Sequence, residues 1–91
     1  MPNPLVKDQT VYFTAFPKDS TEKYVCRGTI TKVPQSTREP YRVIIKATSS
    51  ISVAGIPLED RRLLIGRAIS KYINELTTSL GPILAPKIWI T

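Results

Sequence analysis

The 91-residue sequence has no histidine, a single cysteine and a single tryptophan. Without an imidazole, Ser-His-Asp and Cys-His catalysis, His-ligated zinc and histidine pH switching are excluded together. The lone Cys26 can form neither an internal disulfide nor a thiolate metal site. That points to a reducing, cytosolic compartment, and to a half-buried strand residue rather than a nucleophile. Long apolar runs are missing too. Leu63-Leu64-Ile65 and Val43-Ile44-Ile45 are among the longest, against the roughly 20 residues of a membrane span. Met1 to Asp8 has no basic segment leading into an apolar one, so no cleaved leader is expected. The glycines at 28, 55, 66 and 81 make neither a P-loop nor a G-x-G-x-x-G. The adjacent acids Glu59 and Asp60 would diverge on a helix, so no paired-carboxylate or metal site is expected. A chain without enzymatic activity, metal or cofactor is the expectation.

What is present is positive charge. Thirteen Lys and Arg oppose seven Asp and Glu, for a net charge of +6. On a chain of this size such a field can steer nucleic acid, an anionic membrane surface or an acidic protein toward it, although it also serves plain solubility. Apolar residues at 42% and charged residues at 22% are ordinary for a globular domain. We expect a flexible arm over residues 1–8 and one domain over 9–91.

Thr10 to Phe16, Lys23 to Val33, and Tyr41 to about Ser49 or Val53 are rich in β-branched and aromatic residues and read as strands. Pro17 to Thr21 and Pro34 to Pro40 read as loops. Gly28, inside the second strand, marks a bulge, a bend or a close approach. From Leu58 the period changes: Leu58, Ile65, Ala68, Ile69, Tyr72, Ile73, Leu76 and Leu80 share one side of a helical wheel. Pro57 suits a first helical turn, and Gly81-Pro82 a stop. Lys87 to Thr91 reads as a short last strand or a hydrophobic staple over the core. The expected fold class is therefore α+β, a small antiparallel sheet in the order β-β-β-α-β packed on one helix.

A simple hairpin sets Val33 opposite Tyr41. One face then holds Val25, Val33, Tyr41, Val43, Ile45, Ala47 and Ile51, the side the helix would cover. The opposite face gathers Tyr24, Cys26, Gly28, Ile30, Lys32, Arg42, Ile44, Lys46, Thr48 and Ser50, with Tyr12 and Thr14 added from the first strand. Arg27 falls on the core face in this register, unless a bulge at Gly28 turns it outward or it snorkels at an edge. Tyr12 and Tyr24 with Lys32, Arg42 and Lys46, helped by Arg38 in the loop, would form a platform where bases stack and phosphates sit.

On the far face of the expected helix lie Leu63, Gly66 and Ser70. A glycine there costs about 1 kcal/mol relative to alanine, which suggests a close backbone approach to the sheet or to another chain, the latter giving a homodimer through a second helix. Arg61, Arg62 and Arg67 make a second basic cluster near the helix start. From about Thr10 to Leu80 the order of elements resembles the small sheet-plus-helix DNA-binding domains at the N-termini of phage and plasmid integrases. The alternative is a partial SH3-like barrel closed by the Trp89 strand and plugged by the helix. The functional expectation is nucleic-acid binding without catalysis. Its alternative is a protein-binding adaptor or inhibitor acting through a helix face or an open strand edge.

Overall fold

Three runs of β-branched and aromatic residues open the chain, and each becomes a strand. The computed structural model describes residues 5–18, 20–36, 38–59, 64–79 and 89–91. Within them β1 (Thr10–Ala15), β2 (Tyr24–Lys32) and β3 (Tyr41–Ser49) form an antiparallel meander. Then come β4 (Ala68–Lys71), a 3-10 turn (Ile73–Glu75) and β5 (Trp89–Ile90). All belong to one five-stranded sheet in the order β1-β2-β3-β4, with β5 paired to β3.

The far edge of β3 is divided between two segments. Tyr41 to Ile44 pair with β4, and Thr48 and Ser49 pair with β5. Between them Ile45 donates to the Arg67 carbonyl at 3.0 Å and accepts from Gly66 N–H at 2.7 Å. The 3-10 turn is fastened by Glu75, whose carboxylate accepts from Tyr72 N–H at 3.0 Å and meets Lys71 at 3.3 Å. The Tyr72 bond first, and Lys71 besides, hold that carboxyl below the usual range. Beyond the turn the chain reaches the outer edge of β1, where Thr77 and Tyr12 exchange backbone bonds of 2.8 and 3.0 Å. The sheet therefore curls on itself.

The expected α+β order does not form. Among the described residues there is no α-helix; residues 64–79 are a turn, β4, the 3-10 turn and the Thr77 bridge. Gly66 is one reason. Its φ is +87°, and Arg67 N–H closes the turn onto the Leu64 carbonyl at 3.2 Å. This is a left-handed residue at the third position of a turn, not a helix interior. The second reason is β3, whose outward N–H and C=O groups need partners that a strand supplies and a helix face cannot. Tertiary pairing overrides the local period. Among the described residues neither sheet-on-helix packing nor a helix-plugged barrel closed by Trp89 is present: Trp89 pairs with β3, and Thr77 is what returns to β1. Arg61, Arg62, Leu63 and the helix stop at Leu80 to Pro82 lie outside the described residues. Among the described residues no helix is long and apolar enough to cross a membrane.

Register decides which side chains meet. Cys26 pairs with Thr48 and Arg27 with Ala47, but Gly28 pairs with Ile45 and Ile30 with Val43, so Lys46 is an extra residue in β3. A second irregularity lies between Ile30 and Lys32. Each bulge shifts side-chain parity by one. Hence Tyr24, Cys26, Gly28 and Ile30, expected on the open face, are buried with Val11, Phe13, Tyr41, Val43 and Ile45. Ile51, expected inside, is 52% exposed. Leu5, Leu58, Leu64 and Leu76 complete the core. Gly28 lies at the tightest point. A Cβ there would sit 2.6 Å from Val43 Cγ1, 2.7 Å from Ile44 O and 2.9 Å from Phe13 Cε1.

Candidate nucleic-acid interface

With the core side fixed, pairing assigns the outer side. Tyr12 lies across from Arg27, and Arg27 from Ala47. Farther along, Lys32 faces Arg42, which faces Ser70. Ile44 and the extra residue Lys46 alternate with the buried Val43 and Ile45 and belong to this outer face. The five strands contain no Asp or Glu, whereas they carry Arg27, Lys32, Arg42, Lys46 and Lys71. The one ion pair among the described residues is Lys71 with Glu75, so the outer cations have no described carboxylate beside them.

The expected platform is brought together in part. Lys32, Arg42 and Lys46 are exposed. Lys32 and Arg42 stand directly opposite each other, a like-charge cross-strand pair that destabilises a sheet. Arg42 is held in place, its Nη1 donating to Ser70 Oγ at 3.0 Å. Arg38 is exposed in the connection that leaves the sheet at this row, its N–H donating to Ser36 Oγ at 3.3 Å. Tyr12 is half-buried on the outer face. Tyr24 does not belong. It is 3% exposed, and its hydroxyl donates toward the carbonyls of Ile56 (3.0 Å) and Pro57 (3.2 Å). Burial, then Glu22 and Glu59, push its pKa up, so it serves as a neutral core anchor.

Two residues that sequence reasoning did not place in the site take its position. The Arg27 guanidinium lies 5.1 Å from the centre of the Trp89 ring, and Trp89 lies 6.1 Å from Tyr12 at an interplanar angle of 44°. The cue was Arg27 itself: a cation falling on a core face signals a register that a bulge must correct. Trp89 joins because β5 pairs at Ser49, on the Arg27 side of the sheet.

The residues expected at a helical dimer contact are not brought together as a helix face. Leu63 lies outside the described residues, Gly66 forms the turn before β4, and Ser70 is committed to Arg42. Gly66 has open space around it among the described residues, so its positive φ, rather than a close approach within the chain, accounts for a glycine there.

Other chemistry is sparse. Cys26 is fully buried, and burial pushes its thiol up to about 11 against the opposing pull of Thr48 and Lys71. Such a thiol is a poor nucleophile and metal ligand at neutral pH. Among the described residues no group of His, Cys, Asp and Glu could hold a metal ion. The turn at residues 51–57 presents Ile51, Val53 and Ile56 to solvent. It is held by the buried Ser52, whose hydroxyl accepts from Ala54 and Ile56 N–H groups and donates to Glu22. No protein-family model, no curated protein and no solved structure matches the chain.

Proposed function

We propose that this chain binds nucleic acid through the outer face of its sheet and performs no catalysis there. One observation carries the reading: the strands hold no acid, and Lys32 and Arg42 are set against each other with no described carboxylate between them. Like charges directly opposite cost stability that a sheet recovers when a polyanion arrives. Along β2 the stripe from Lys32 to Arg27 runs about 16 Å at some 3.3 Å per residue. Lys32, Arg42 and Lys46 would contact phosphates, with Arg38 at the edge. Strand lysines and arginines fix affinity more than sequence preference. The single buried Cys26 suits a reducing, cytosolic location, which we take as the working compartment.

The test is a gel shift of the parent and the triple variant Lys32→Ala/Arg42→Ala/Lys46→Ala at two salt concentrations. Loss of these contacts should weaken binding evenly across sequences and flatten the slope of log K against log salt by about 2–3 units. Equal binding by both proteins refutes the reading. It would favour the second one, a protein-binding module docking through the exposed aliphatic turn of Ile51, Val53 and Ile56.

A further inference from the structure

Resting on that reading, we infer that the ligand is single-stranded nucleic acid, with an unpaired base stacking at the Tyr12–Arg27–Trp89 cluster. Phosphate contacts alone do not choose between one strand and two. The aromatic cluster does. Its residues come from β1, β2 and β5, which are spread across the sheet in the order β1-β2-β3-β5. Spacings of about 4.8 Å set the outer two of these strands roughly 14 Å apart. A duplex major groove is about 12 Å wide and admits one helix or a two-stranded ribbon. The rings themselves converge to 6.1 Å, but the four-strand face that carries them is broader than the groove and does not bring them to base edges inside it. In a single strand the base faces are free and come to the rings instead.

The cluster is suited to such a base. Tyr12 and Trp89 are tilted by 44° rather than stacked in parallel, and both are half-buried, so neither ring is sealed by the other. Arg27 adds a planar cation against the indole, and the indole restricts its motion. No described carboxylate neutralises it. A guanidinium so placed offers a flat surface to a base and N–H donors to the adjoining phosphate in one arrangement. Lys46, the extra residue beside the Arg27–Ala47 pair, stands on the same face to meet the next phosphate.

Trp89 is the single tryptophan, so its fluorescence reports this site alone. Parent protein is titrated with a short oligothymidylate and with a duplex of equal length, at low and moderate salt. The single strand should quench the emission and bind at least about tenfold more tightly. Tyr12→Leu and Arg27→Lys should each weaken the single strand about ten- to a hundredfold and the duplex far less, by under about threefold. Arg27→Lys keeps the charge, so its salt slope should match the parent's and only the stacking be lost. Thermal melts of both variants confirm that the fold is kept, and Arg27→Lys serves alone if Tyr12→Leu does not fold. Equal binding of both ligands with unchanged emission overturns the stacking inference and leaves the nucleic-acid reading standing. Binding of neither ligand at roughly 100 µM protein and low salt overturns both.

Discussion

Gly28→Ala tests the register of the whole sheet. At this position the backbone of β2 is pressed between Phe13 of β1 and Val43 and Ile44 of β3. The substitution adds one methyl group, and the closest atoms lie on both neighbouring strands. Ordinary contact begins near 3.4 Å, so Ile44 O at 2.7 Å must retreat by roughly 0.7 Å, and it is ladder backbone rather than a flexible side-chain tip. Val43 and Phe13 are buried at 0% and 1% exposure and have no solvent to retreat into. Overpacking a core costs about 1–3 kcal/mol, and a clash that must move backbone belongs at the top of that range. For a domain of this length, about 3 kcal/mol lowers Tm by some 12–24 °C. Circular dichroism melts of parent and variant measure it directly. A variant melting within about 2 °C of the parent would show that β2 does not lie in this register, and the outer face built on it would fall too.

Gly66→Ala meets no steric obstacle, yet its φ of +87° should cost about 1–2 kcal/mol, read by urea denaturation. Unchanged or raised stability would restore the helical reading of this segment. Cys26 couples folding to alkaline pH. Its folded pKa of about 11 lies above the reference value of 9.0, so its contribution is complete below pH 9 and declines as pH rises toward 11. Parent stability should therefore fall by about 2–3 kcal/mol more than that of Cys26→Ala across this window. Parallel pH profiles for the two proteins would contradict this. The Tyr41 hydroxyl is buried with no hydrogen-bond partner among the described residues. Tyr41→Phe should accordingly be neutral or stabilising by up to about 1–3 kcal/mol in the same denaturation assay. A loss of stability would mean the hydroxyl has a partner.

Local chemistry made the first half of the fold legible. Thr10 to Phe16 and Lys23 to Val33 became strands ending within about a residue of where β-branched and aromatic composition set them, and the run from Tyr41 stops at Ser49, the nearer of its two expected ends. The second half misled because Ile65, Ile69, Ile73 and Leu76 satisfy a helical period while also serving a turn, a short strand and a 3-10 turn. Gly66 distinguished the two, but its positive φ is a property of the folded backbone. The face of β2 was lost for a different reason. The irregularity between Ile30 and Lys32 leaves no mark in composition and inverts the inside–outside assignment of β2 from Ile30 back to Tyr24, while the extra residue Lys46 does the same for the end of β3. The basic residues of β3 survived because that strand was read correctly from Tyr41 to Ile45, whereas Tyr24 turned inward with the rest of β2, where its hydroxyl bonds the Ile56 and Pro57 carbonyls. Trp89 was unreachable from sequence, since its place follows from a pairing with Ser49 that closes a long stretch of chain.

The divided edge of β3 also orders the assembly of the molecule in time. β1 to β3 are joined by connections of modest length, so their pairing closes small loops. β4 and β5 can dock only once β3 presents its edge, and the Tyr12–Thr77 bridge joins segments near opposite ends of the described chain. Contacts this distant are made late. Damage to the meander would therefore slow folding, while damage to Ile69 or the Thr77 bridge would chiefly hasten unfolding. The curled sheet owes its formation to the first three strands and its lifetime to the segments that close it.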